Sequence, residues 1–196
     1  MESDGRHGLS CEKQVGRFPR HSEANYLIKR ALAQINYPSI LEPTNLIGAE
    51  GLIRPDGVTH FAYKQGKSLT WDFTCVDTLC DSYVHESAKE AGKAAQMAEV
   101  RKHNKYKDLK DNYMFTPIAV ETFGSWGPES LKFIKEIGNK IQENTGEKRA
   151  TSYLIQSLSM TIQRGNAASI MGTAGQTRKL EEIFNLITPL KSELET

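Results

Sequence analysis

Two runs of β-forming residues, Gly57–Tyr63 and Ser68–Val76, flank the tetrapeptide Lys64-Gln65-Gly66-Lys67. Runs of this length around a glycine-bearing turn predict an antiparallel hairpin. The second run constrains the fold most, because strand geometry sends alternate side chains to opposite faces. Leu69, Trp71, Phe73 and Cys75 then share an apolar face, while Thr70, Asp72, Thr74 and Val76 share the other. A sheet built on this strand needs an apolar layer on one side. On the other it must accommodate a carboxylate in the middle of a strand.

The rest of the chain supplies the layers. Ala24, Leu27, Ile28, Ala31, Leu32 and Ile35 recur at helical spacing, which predicts a helix from Ser22, as N-cap, to Gln34. A short extended segment is expected at Ile40–Glu42. A long helix is expected over residues 86–110, a buried strand over Met114–Glu121, and the glycine-rich FGSWG after it. Beyond Pro128, one helix carries Leu131, Ile134, Ile137 and Ile141, and a second, Thr151–Arg164, carries Leu154, Leu158 and Ile162. A last helix holds Leu180, Ile183, Phe184 and Ile187. The order of elements is that of a mixed α/β domain with a helical C-terminal layer.

Composition excludes several classes. No apolar run approaches the eighteen or so residues of a membrane span, and the polar N-terminus has no signal-peptide core. Cys11, Cys75 and Cys80 are too few for a disulfide framework, which fits an intracellular protein. The net charge of +1 is not that of a general polyanion binder. No P-loop, dinucleotide fingerprint or serine nucleophile elbow is present, and nothing local activates Cys75 or Cys80 as a nucleophile.

The candidate chemistry is acidic and basic. Asp56, in Arg54-Pro55-Asp56, begins the strand that pairs with the Asp72 strand, so the hairpin can bring both carboxylates to one edge of the sheet. Two close carboxylates repel unless a cation lies between them, and such a pair suits Mg²⁺. The plain alternative is that Asp56 caps a turn and Asp72 is a solvated strand residue, and spacing alone favours it. The long helix shifts the balance. Ala91, Ala95, Ala98, Lys102, Lys105 and Leu109 form one stripe, so two lysines continue the inward face. Lysines there can stabilise charge on a phosphate, or their stems can snorkel to solvent. Residues 89–110 carry seven Lys/Arg against three Asp/Glu, an excess of four, with Lys93, Arg101 and Lys107 as candidate contacts to a phosphate backbone. A solvated helix face explains the same excess. His7 and Cys11 have the spacing of half a zinc ligand set.

RPDG (Arg54–Gly57), WDFTCVDTL (Trp71–Leu79), KHNKY (Lys102–Tyr106), TPIAVETFG (Thr116–Gly124) and QRGNAA (Gln163–Ala168) occur in that order. Together they resemble the restriction-like endonuclease region that follows the reverse transcriptase in invertebrate non-LTR retrotransposons, over about residues 5–173. The resemblance implies a PD-(D/E)XK restriction-endonuclease-like fold, a mixed sheet flanked by helices with extra C-terminal helices. It implies Mg²⁺- or Mn²⁺-dependent nicking of target DNA in the nucleus, with a reverse transcriptase elsewhere in the parent polyprotein and no membrane partner. Asp56 and Asp72 match the metal ligands, with Glu42 or Glu121 as a weaker third. The usual lysine two residues after the second acid is replaced by Thr74, and Lys102 and Lys105 match the helix-borne K-x-x-K-Y lysines instead. Arg20, His21 and Asn25 match an RH…N element, which adds Arg20 and His21 to the candidate nucleic-acid contacts. His7 and Cys11 match the second half of a zinc knuckle whose first two cysteines would precede Met1, so Zn²⁺ binding is not expected. The expected divisions are a truncated knuckle-like segment (1–20), an endonuclease-like core (21–127), a helical layer (128–173) and a tail helix (174–196). A catalytically inert nucleic-acid-binding remnant, or a structural domain with a solvated lysine stripe, are the alternatives.

Overall fold

The computed structural model describes Leu9, residues 15–44, Leu46 and residues 54–173. His7, Cys11 and the tail helix expected over 174–196 lie outside the described residues. The elements are α1 (Arg17–Gln34), β1 (Ser39–Leu41), β2 (Gly57–Lys64), β3 (Lys67–Val76), α2 (Val84–Ser87), α3 (Lys93–Lys105), β4 (Tyr113–Glu121), α4 (Pro128–Thr145) and α5 (Ala150–Thr173), with a 3₁₀ turn at Lys107–Leu109. The four strands lie in the order β1-β2-β3-β4. β1–β2 and β2–β3 are antiparallel, and β3–β4 is parallel. A parallel neighbour requires a crossover, and α2 and α3 make it. Among the described residues, no helix is long and apolar enough to cross a membrane.

The hairpin forms as its residues dictate. Gln65 and Gly66 both have positive φ, 51° and 73°, the mirror-image turn that matches strand twist. The register slips between Val58 and Ala62. There the Thr59 hydroxyl accepts the Leu69 N–H at 2.9 Å and so satisfies a donor the ladder misses.

The alternation along β3 divides the core. Leu69, Trp71 and Phe73 join Ile118 and Val120 of β4 against Ile28 and Leu32 of α1, Ile134 and Ile137 of α4, and Leu158 and Ile162 of α5. On the opposite face, Val76 and Ala119 pack against Ala94, Ala95 and Ala98 of α3. Small residues let α3 approach the sheet closely enough for the next inward residue to reach β3.

Several boundaries differ from expectation. α1 begins at Arg17, so Ser22 is interior and the division expected at residue 20 falls within a helix. Gly16 takes the N-cap position and packs so tightly on α5 that a Cβ there would lie 2.0 Å from the Gly165 carbonyl oxygen. The helix expected over 86–110 is split. Gly92 adopts φ 86°, and a Cβ would sit 2.7 Å from the Trp126 carbonyl, so the chain turns there and leaves Ala91 exposed outside the helix. In α4, Phe133 takes the buried place expected for Leu131. Pro128 starts α4, and Gly146, at φ 75°, ends it. α5 runs nine residues past Arg164, because Gly165 and Gly172 let the N-terminal end of α1 lie against it.

Trp71 is fully buried and lies across Gly57, where an added Cβ would fall 2.1 Å from the indole. Gly57→Ala is therefore expected to destabilise the fold by about 3 kcal/mol through overpacking. Urea unfolding measures it, and an unchanged midpoint would contradict this packing.

Candidate functional site

Asp72 occupies the centre of β3 on the α3 face, opposite Pro117 of β4, and is only 4% exposed. A buried carboxylate is unfavourable unless donors surround it. Lys102 pairs with its Oδ1, and the Tyr106 hydroxyl donates to its Oδ2. The stripe explains Lys102: Ala95 and Ala98 pack on the sheet, and the residue one turn further projects over Asp72. Tyr106 follows the last residue of α3 and is fully buried. Its hydroxyl also lies 2.9 Å from the Arg54 carbonyl and accepts from Lys105 Nζ at 3.2 Å. Burial, followed by the neighbouring Asp72 charge, pushes the Tyr106 phenol well above its ordinary range.

Asp56 ends the loop before β2. Because β2 starts at Gly57, the Phe73 N–H of β3 lacks a strand partner there, and Asp56 Oδ2 accepts it at 2.7 Å. The same oxygen accepts from Asn25 Nδ2 at 3.1 Å and lies 3.0 Å from His21 Nε2. Asn25 is oriented by Trp71, whose indole N–H donates to Asn25 Oδ1 at 2.9 Å. With the amide so fixed, Asn25 Nδ2 faces His21 Nδ1 at 3.3 Å. That ring nitrogen is then the acceptor, and the neutral imidazole carries its proton on Nε2, toward Asp56. His21 and Asn25 sit one turn apart on α1, which is why one helix face serves one carboxylate.

Both carboxylates open into one cleft of about 520 Å³, also lined by Arg17, Phe18, Arg20, His21, Arg54, Thr74, Lys102 and Lys105. They meet in the interior of the sheet, between β2 and β3, and not at the sheet edge expected from the hairpin alone. Among the described residues, no group of three or more His, Cys, Asp or Glu side chains is placed to hold a metal ion. The donor set in the cleft is two carboxylates. Asp56 Oδ1 has no hydrogen-bond partner among the described residues.

The other expected residues are distributed as follows. Lys105 is exposed at the cleft rim, its ammonium 4.8 Å from the Tyr106 ring centre. Arg20 borders the cleft, but it is 4% exposed and its Nη1 donates to Asn166 Oδ1 at 2.5 Å. Asn166 in turn donates to the Thr122 carbonyl at 2.7 Å. Gly165 leaves room for the Arg20 stem, so QRGNAA joins α5 to α1 and to the loop after β4. Glu42 is exposed and ion-paired with Arg54 at 2.5 Å, outside the cleft lining. Glu121 is buried and accepts the Ala94 N–H at 3.0 Å, holding the start of α3. Lys93 contacts Gln96 and Glu90, and Arg101 lies 5.0 Å over the Tyr83 ring. Neither lines the cleft, and Lys107 is exposed in the 3₁₀ turn. Cys75 lines the cleft, and burial pushes its thiol up to about 11, which keeps it unreactive.

Sequence reasoning assigned no role to Tyr106, to the Asn25–Trp71 bond or to Glu99. Glu99 is buried and accepts from the Ser130 N–H and hydroxyl at 2.8 and 2.6 Å, which fixes the start of α4 against α3. The available signal was a glutamate among the buried alanines of α3.

No family model matches the chain, and no curated protein matches it.

The His21–Asp56 contact titrates. The hydrogen bond that His21 donates to Asp56 is the largest influence on the ring and, against burial, raises it above its ordinary 6.5. For Asp56, burial is the largest influence and pushes upward. His21, the Phe73 N–H and Asn25 together outweigh it and hold the carboxyl below its ordinary 3.8. A group raised on folding stabilises the fold below its unfolded value and loses that contribution as pH rises through the folded value. A lowered carboxyl contributes above its unfolded value and loses that as pH falls through the folded one. The pair is therefore strongest between about pH 4 and 6.5. In metal-free protein, His21 ring resonances are expected to titrate with a midpoint above 6.5, and Asp56→Asn should return it toward 6.5. A midpoint that ignores Asp56→Asn would contradict the contact.

Proposed function

We propose that the chain is a Mg²⁺- or Mn²⁺-dependent DNA endonuclease domain of the PD-(D/E)XK, restriction-endonuclease-like kind, derived from a retrotransposon. It would nick nuclear target DNA to provide a primer end for a reverse transcriptase of the parent polyprotein. The observation that carries this reading is the meeting of Asp56, Asp72 and Lys102 in one cleft, from three separate segments. A solvated lysine stripe would have left Lys102 away from Asp72.

The residues fit a divalent ion. Mg²⁺ commonly takes one or two carboxylates and fills its remaining positions with water and phosphate oxygens. Asp56 and Asp72 would hold it, since Asp56 keeps one oxygen without a hydrogen bond among the described residues, and Asp72 Oδ1 is held by Lys102, which can move to a phosphate, and by a long bond from the Thr74 hydroxyl at 3.5 Å. When bound, such an ion supplies Lewis-acid activation of water and charge neutralisation at phosphorus. The chain's own groups do the rest. Tyr106 orients Asp72, and Asn25 and His21 orient Asp56. Lys102 and Lys105 present ammonium groups to the non-bridging phosphate oxygens, where negative charge is stabilised. Arg17 and Arg54 flank the cleft and position the backbone on either side of the scissile bond.

A second reading, a DNA-binding domain without turnover, is favoured by one observation: both Asp72 oxygens already have donors within the protein. Nicking of supercoiled plasmid in Mg²⁺ or Mn²⁺ separates the two. Wild type is expected to produce open circles, and Asp72→Asn to lose at least about a hundredfold in rate, as for loss of an electrostatic catalytic group. Equal nicking by both, or none by either, overturns the endonuclease reading. Salt-dependent binding without cleavage would establish the second.

A further inference from the structure

Phe18 is 77% exposed, the most exposed of the large hydrophobic residues of α1. Its position on the helix is informative. Phe18, His21 and Asn25 stand at i, i+3 and i+7, so they share one face of α1. That face brings His21 and Asn25 onto Asp56. Phe18 continues it outward by one turn and lines the mouth of the same cleft. Further along the same stripe, Ile28 and Leu32, at i+10 and i+14, enter the core, whereas Phe18, next to the helix start and 77% exposed, stands outside it.

The ring shares the cleft lining with cations. Arg17 precedes it and is exposed, and Arg54, Lys102 and Lys105 line the same cleft, Arg54 paired with Glu42 and Lys102 with Asp72. A guanidinium- and ammonium-lined cleft attracts phosphates, and an aromatic ring beside a phosphate track is suited to stack on a base. In an intact duplex, the bases are already stacked and paired, so such a ring gains a partner only where a base is unpaired or pushed out.

We propose that Phe18 is a base-stacking residue and that the cleft prefers DNA with an unpaired base beside the bound phosphates, such as a junction between duplex and single strand. This rests on the DNA reading above and narrows it to a substrate class. Stacking of one base on an aromatic side chain corresponds to about five- to hundredfold in affinity.

The test is binding of the full chain to two labelled DNA probes at one fixed salt concentration, without a divalent ion so that cleavage does not intervene. One probe is a fully paired duplex and the other the same sequence with one end forked. Wild type is expected to bind the fork about tenfold more tightly. Phe18→Ala should abolish that preference while leaving duplex affinity and melting temperature unchanged, and Phe18→Tyr should restore it. Equal preference in wild type and Phe18→Ala overturns the proposal, as does a wild type that binds both probes alike. Wild type that binds neither probe overturns the DNA reading itself, and is thereby distinct from a failure of the stacking role alone.

Discussion

A carboxylate in the middle of an interior strand is the constraint on which the rest of this molecule depends. Asp72 belongs to the face of β3 that α3 covers, and an unpaired charge there would cost several kcal/mol even after relaxation. The fold answers it with two donors from one helix end, Lys102 and Tyr106. Those donors reach Asp72 only because Ala95 and Ala98 bring α3 close to the sheet. Glu121 and Glu99 hold that geometry from both directions. The first accepts from the start of α3, and the second extends from α3 to the start of α4. The position of one charge thus accounts for the small residues of α3 that bring it against the sheet.

The second carboxylate is held by a different economy of contacts. Asp56 replaces a strand partner for the Phe73 amide where β2 begins. Its orientation then passes through Asn25 to Trp71, a residue that is itself part of the main core. Core packing and site geometry are therefore one structure at this point. A change that tilts the Trp71 indole would also turn the Asn25 amide and release one of the three donors on Asp56. The β2–β3 register, which sets Gly57 against Trp71, brings Asp56 beside Asp72 at one cleft, and each carboxylate already carries donors there.

Much of the local structure was legible in the sequence because it obeys simple periods. The hairpin followed from two β-forming runs around a turn that holds Gly66, and the two faces of β3 followed from its alternation. The inward direction of Lys102 followed from the alanine stripe. What was not legible depends on contacts between distant residues. Arg20 read as a candidate nucleic-acid contact, yet Asn166, 146 positions away, draws it inside. Tyr106 read only as the end of a motif, because its partner Asp72 is 34 positions earlier. The split of the 86–110 helix depends on the Trp126 carbonyl closing on Gly92, and the alanine and lysine content of that stretch carries no trace of it.

The shared cleft is tested most directly by Mn²⁺ added to the protein while His21 and His60, four residues beyond Asp56 on β2, are observed by NMR. Paramagnetic broadening of the His21 ring signals at about one equivalent of Mn²⁺, stronger than that of His60, is the expected result if Asp56 and Asp72 hold one ion beside His21. The broadening should disappear in Asp72→Asn. Broadening that persists in that variant, or none in the wild type, would contradict the claim that the two carboxylates act as one site.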